Sequence, residues 1–216
     1  MNIHSVMPVN AVARRARPAA SPEAPPGPKR DAILRAAIDV FADRGFFNAQ
    51  VADVARAAGV AAGTVYLYFK GKDDLLVSIF ERSMRDGLAH GRAAVTDLQD
   101  PRERLLRLAR AHLARLGRDR NLAIVFQVEL RQSTKFMERF SATLLRDYLG
   151  LIREAIADGQ RAGLFRSDVK ATAMAKMLFG ALDEMATNWI LSRRRYSLEA
   201  DADMVVDLFI NGAQAG

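Results

Sequence analysis

From Lys29 onward the apolar residues recur at helical spacing, and nowhere do they alternate as a half-buried strand would require. Ile33, Ala37, Val40 and Phe41 stand at i, i+4, i+7 and i+8, which predicts a first helix stopped by Gly45. Val51, Val54, Ala55 and Ala58 form a second buried stripe over about 50–58, and Gly59 supplies a left-handed stop. A short third helix over about 62–69 turns Val65 and Phe69 inward while Thr64, Tyr66 and Tyr68 project elsewhere. The fourth opens near Lys72, with Asp73 and Asp74 where the helix dipole favours acids, and carries Leu75, Leu76, Ile79 and Met84 to about Leu98. Asp100 and Pro101 read as N-cap and first residue of a fifth helix over about 101–117. Four more helices are predicted over about 119–132, 134–162, 169–194 and 199–213, the last with Val205, Leu208, Phe209 and Gly212 on one face. The fold class is therefore all-α, with about nine helices.

The second and third helices are the most informative pair. Two short helices held at a steep angle by a glycine turn make a helix-turn-helix, which presents its second helix to a DNA major groove. The expected organisation is a DNA-binding domain over 27–87, with its motif at about 50–69, and a second helical domain over 88–216. Six of the seven prolines fall before residue 29, together with Ala, Ser and Arg. Such a segment buries too little surface to offset chain entropy, so residues 1–26 are expected to be a disordered tail.

Charge agrees with a polyanionic partner but does not single one out. The formal net charge is +7, of which residues 1–30 hold +4 and residues 31–72 only +1. There is no cysteine, which removes disulfides and thiolate chemistry and fits a reducing compartment. The three histidines, His4, His90 and His112, are scattered, with no metal-ligand spacing around them. No apolar run reaches the roughly 18 residues of a membrane span, and no secretion signal is visible, so a cytoplasmic location is expected. No Ser/His/Asp set, metal cluster or phosphate-cradling glycine loop suggests an enzyme, and no cofactor is implied.

Phe41, Gly45 and Phe46 close the first helix, Val54-Ala55-Arg56-Ala57-Ala58-Gly59-Val60 fill the second and its turn, and Gly63-Thr64-Val65-Tyr66-Leu67-Tyr68-Phe69 precede Lys72 and Leu75. In these residues the chain resembles the N-terminal domain of the TetR family of bacterial transcriptional regulators. The resemblance implies residue roles that chemistry supports. Thr64 and Tyr68 carry hydroxyls for phosphate oxygens, and Tyr66 can reach a phosphate or lay its ring on a thymine methyl. Lys72 is expected to attract a phosphate at the start of the fourth helix. Ala61, Ala62 and Gly63 permit close approach, and Gln50 is the candidate for a polar base contact, although threonine is frequent there in the family. A third reading, an interaction module without DNA binding, sits poorly with this intact set.

In the second domain, Gln127-Val128-Glu129-Leu130-Arg131-Gln132-Ser133 and Phe179-Gly180-Ala181-Leu182-Asp183-Glu184, with Trp189 and Tyr196-Ser197-Leu198, are similar to the TetR-type FadR group. These are repressors of fatty-acid degradation genes that respond to long-chain acyl-CoA. The implied effector site draws on Phe126, Glu129, Arg131, Tyr148, Leu182, Asp183 and Met185. The apolar members could equally be ordinary core. Glu129 and Asp183 are carboxylates on apolar stripes, which need a polar ligand or an internal arginine, Arg131 being nearest. Helix 5 adds Arg102, Arg104, Arg107, Arg110 and Arg115, mostly a solvated face, of which one or two could meet CoA phosphates. A drug-like or aromatic effector remains the alternative. The resemblance also implies a homodimer through helices 8 and 9, reading a palindromic double-stranded operator.

Overall fold

The structure, a computed structural model, describes residues 27–129, 143–194 and 196–213. Nine α-helices run through them: α1 (Pro28–Arg44), α2 (Val51–Ala57), α3 (Ala62–Tyr66), α4 (Lys72–Val95), α5 (Pro101–Arg118), α6 (Arg120–Ile124), α7 (Leu144–Arg161), α8 (Ala171–Leu191) and α9 (Asp201–Ala213). A 3-10 turn, Leu198–Ala200, leads into α9. No helix among the described residues is long and apolar enough to cross a membrane. The expected tail, residues 1–26, lies outside the described residues.

Local sequence explains most boundaries. Gly45 and Gly59 take φ of 77° and 67°, a left-handed backbone that a side chain resists, and the chain turns after α1 and α2 there. Pro101 occupies the first position of α5, and the Asp100 carboxylate accepts the Arg102 N–H at 3.0 Å. Asp119 caps α6 in the same way, accepting from the Leu122 N–H at 3.1 Å.

Two expectations need correction. The third helix stops at Tyr66 rather than 69, because its last residues tighten into shorter bonds: Leu67 N–H to the Thr64 carbonyl at 3.2 Å and Tyr68 N–H to Val65 at 3.0 Å. The sixth is α-helical only to Ile124 and then widens into a π turn, Val125–Glu129. Val125, Gln127 and Glu129 are all buried in that turn, each by a different neighbour. Residues 130–142, which include the expected end of helix 6 and start of helix 7, lie outside the described residues.

The apolar side chains gather into two cores. The first joins Ile33, Phe41, Val54, Val65, Phe69, Leu75 and Leu76, and receives Val125 from the π turn. The second joins Leu105, Leu113, Ile152, Leu178, Leu182 and Val206. On α4 the change comes within one turn: Phe80 belongs to the first core and Met84 to the second. Phe126 packs against both. The first core with its helices is called the head below, and the second the body.

Candidate functional site

α2 and α3 present a small, largely exposed edge. Val65 and Phe69 are buried anchors, so the intervening residues face outward. Ala61, Ala62 and Gly63 are exposed, Tyr66 is 58% exposed, and Thr64 and Tyr68 are half-buried. Leu67, which the sequence did not single out, is 78% exposed at the same edge. Gln50 is exposed ahead of α2, its N–H donating to Asp53 Oδ2 at 3.1 Å. Asp53 Oδ1 also takes Arg44 at 2.8 Å and Arg56 at 3.2 Å, locking α1 to α2.

Lys72 makes contacts that its sequence position did not announce. Its ammonium donates to the carbonyls of Phe46 (3.0 Å), Phe47 (2.8 Å) and Ala49 (3.3 Å) and lies 4.9 Å from the centre of the Phe46 ring. An ammonium has three protons, and three carbonyls receive them. Lys72 thus pins the α1–α2 loop to the start of α4.

The body grips that same loop from the other side. Glu129, 5% exposed, accepts the Phe46 N–H through Oε2 at 2.6 Å. Gln127 donates to Asp183 Oδ1 on α8 at 2.6 Å and accepts from the Thr187 hydroxyl at 3.2 Å. One π turn therefore bonds to α8 at residue 127 and to the head at residue 129. Arg131, the cation expected to pair with one of these carboxylates, lies outside the described residues. A second tie is made by α6, where Arg35 of α1 pairs with Asp39 and Asp119, and Asn121 donates to Asp39 at 2.8 Å. The Arg35 guanidinium holds the Asp39 carboxyl below its ordinary value.

Deeper in the body lies a polar pair that histidine counting overlooked. His112 of α5 is 9% exposed, and its Nδ1 is 3.2 Å from the Tyr148 hydroxyl of α7. Its ring also meets the edge of Phe179 on α8, with centroids 5.5 Å apart. Burial pushes the His112 imidazole down to about 3, helped by the charge of Arg115, and pushes the Tyr148 phenol up to about 12. Both are neutral at physiological pH. His112 Nε2 is buried with no hydrogen-bond partner among the described residues. Such a group costs roughly 1–3 kcal/mol. One turn on, Arg115 bonds to the Ser83 hydroxyl and lies over the Phe126 ring at 5.8 Å, its charged form disfavoured chiefly by burial. The signal was present: Leu105, Leu108, Ala109, His112, Leu113 and Leu116 form one apolar stripe, and His112 sits within it.

Of the remaining expected effector residues, Phe126 stacks edge-on to Phe80 at 4.5 Å, Leu182 is buried, and Met185 packs half-buried against the body core. The arginines on α5 divide: Arg107 pairs with Glu103 and Arg110 with Asp203 toward the surface, whereas Arg104 pairs with Asp158 in a more buried position. A separate groove of about 360 Å³ lies between α7 and α8, with Leu145, Leu149 and Ala175 inside and Arg146, Arg153 and Lys176 among its lining. None of the expected effector residues lines it.

Comparison with known proteins decides what this arrangement belongs to. Residues 33–79 match the model of bacterial regulatory proteins of the tetR family, and residues 80–212 match that of the YsiA-like protein C-terminal region. The chain belongs to the TetR family. It is a DNA-binding transcriptional regulator and not an enzyme. The fatty acid metabolism regulator protein of Bacillus subtilis strain 168 is 34% identical over 185 residues, 86% of this chain and 95% of the relative. Among solved structures, the fatty acid degradation regulator FadR of Bacillus halodurans superposes with a TM-score of 0.82 at 38% identity, covering 88% of this chain and 98% of its own. FadR of Bacillus subtilis, solved in complex with stearoyl-CoA, gives 0.79 at 32% identity, covering 85% and 99%.

Proposed function

We propose that this protein is a cytoplasmic, homodimeric repressor of fatty-acid metabolism genes that long-chain acyl-CoA releases from its operator. The observation that carries this reading is the likeness to a FadR solved with stearoyl-CoA, which extends over nearly the whole of that chain and includes the body. Within the body, Phe126, Leu182 and Met185 offer apolar lining for a hydrocarbon tail.

The DNA-binding domain is assigned to residues 27–87 and the effector and dimerisation domain to 88–216. Thr64, Tyr66 and Tyr68 contact phosphates or thymine methyls, Ala61, Ala62 and Gly63 allow close approach, and Gln50 reaches a base edge. Lys72 supports them by holding the loop beside α2. Dimerisation uses α8 and α9, where Met177, Leu191, Met204 and Leu208 are each more than half exposed. Paired heads must then be about one turn apart, roughly 34–36 Å, to read a palindrome.

Release follows from a population shift. The π turn carries ligand-induced movement to the head through Glu129, and α6 adds the Arg35 and Asn121 ties, so α4 is not the only route. A ligand preferring the non-binding state by about 1.4 kcal/mol shifts the balance tenfold. The test is operator binding by the full chain, using duplex fragments from its own genomic neighbourhood. Palmitoyl-CoA or oleoyl-CoA should abolish the complex at micromolar concentration. Release by aromatic acids or drug-like cations, with acyl-CoAs inert, would replace this effector with the alternative one.

A further inference from the structure

We propose that the buried His112–Tyr148 pair reads an acyl carbonyl, with His112 Nε2–H donating to the carbonyl oxygen of the bound ligand. This rests on the acyl-ligand reading above and adds the group that recognises the polar point of an otherwise apolar guest.

The hydrogen-bond inventory fixes the direction. A neutral imidazole has one donor and one acceptor nitrogen. If the Tyr148 hydroxyl donates to Nδ1, the proton stands on Nε2, and one group is left unmet. If Nδ1–H donated instead, the Tyr148 proton and the Nε2 lone pair would both be unmet. The first arrangement is better satisfied, so Nε2 is a donor awaiting an acceptor, and Tyr148 is a positioning residue that holds the tautomer.

The surroundings select the acceptor. Arg115, one turn along α5, puts a positive charge on the same side, which repels a cationic ligand and favours an oxygen. α4 packs closely against this part of the body. At Gly91 a Cβ would stand 3.1 Å from Leu151 and 3.7 Å from the Tyr148 ring, and at Gly87 it would stand 3.4 Å from the Arg115 guanidinium. Toward α8 the neighbouring groups are aromatic: the half-buried Phe179 ring meets His112 edge-on at 5.5 Å, and the half-buried Phe126 ring lies under Arg115. A polar atom arriving there is flanked by apolar walls, which matches a carbonyl within a long hydrocarbon ligand better than a charged headgroup. The residue type carries the same message. A phenylalanine at position 112 would extend the Leu105–Leu116 stripe without leaving a nitrogen unmet.

The carbonyl could come from a CoA thioester or from a free fatty acid, and three ligands separate these. The full-length protein is titrated with palmitoyl-CoA, with S-hexadecyl-CoA (a thioether of similar length lacking the carbonyl) and with palmitate. Wild type should bind palmitoyl-CoA at least tenfold more tightly than the thioether. His112→Phe should bring the two within about threefold of each other, with its unliganded melting temperature showing that the fold is kept. Tyr148→Phe should shrink the preference partway, and it serves as the second variant if His112→Phe fails to fold. Palmitate binding that is lost in His112→Phe upholds the reader and moves its source to the free acid. Equal binding of thioester and thioether by wild type overturns the carbonyl reader but leaves acyl-CoA as effector. A preference unchanged in both variants also overturns it. Failure of all three ligands to bind overturns the reader and the proposed effector together.

Discussion

Head and body share α4 but fill their interiors differently. In the head, large apolar side chains such as Phe41, Phe69 and Leu75 close the core, and Ser78 is the buried polar side chain there among the described residues. Ser83, His112, Gln127 and Glu129, also buried, gather behind it on the body side and at the junction. A core of hydrocarbon alone is complete when it closes, and the work of such a unit must be done on its surface, here the exposed edge of α3. Three of these four are met inside the protein, and the fourth, His112, keeps a buried Nε2 without a partner among the described residues. The difference matches the division of labour proposed above, and the π turn between the two parts bonds to both of them.

This contrast can be broken at several points. Phe41→Ala is expected to have the largest effect. The side chain is fully buried, and its loss should cost about 3–5 kcal/mol, read by denaturant unfolding. Operator binding should fail while acyl-CoA binding survives; loss of both would show that head and body do not fail separately.

Next comes the junction. Glu129→Ala removes the acceptor of the Phe46 N–H and should destabilise by roughly 1–3 kcal/mol. Glu129→Gln, which keeps an acceptor, should recover most of that. In the alanine variant, operator binding and acyl-CoA binding should both persist while acyl-CoA no longer dislodges the DNA. A normal ligand response would show that the π turn is not the route.

The pH dependence tests the body core. His112 titrates near 3 when folded and near 6.5 in an unfolded chain, so below about 6.5 the unfolded state takes up a proton that the folded state refuses. Stability from this source is intact above pH 6.5 and declines as the pH falls toward 3, by about 2 kcal/mol at pH 5. His112→Phe should flatten that decline, as measured by melting temperature across pH 5–7.5. The smallest effect is expected from Arg110→Ala, which removes an exposed pair with Asp203 and should leave the melting temperature unchanged.

Helix positions were legible in the sequence because one apolar stripe per helix is enough to place it. Val65 and Phe69 were recognisable as anchors for the same reason, and they left Thr64, Tyr66 and Tyr68 on the outer edge. Other features depend on distant chain. The carbonyls that hold Lys72 come from residues 23 to 26 positions earlier, and no local pattern announces them. The π turn was hidden because Leu122, Val125, Phe126 and Glu129 satisfy an ordinary helical spacing equally well. Six arginines on α5 look alike in sequence, yet Arg115 lies against Ser83 while Arg107 and Arg110 stay at the surface. Only the packing of α4 on α5 distinguishes them. His112 stands within an apolar stripe, and the partner that marks it out, Tyr148, lies 36 positions away on α7.

The three-carbonyl seat of Lys72 has a practical consequence for chemical footprinting. Its amine is committed to hydrogen bonds while the loop is docked, so acylating reagents that label lysines should modify it slowly. A flat, forked guanidinium could not fit the same seat, which makes arginine a poor replacement. Labelling of this one amine therefore becomes a clock for local opening of the loop, readable by peptide mass with and without duplex or acyl ligand.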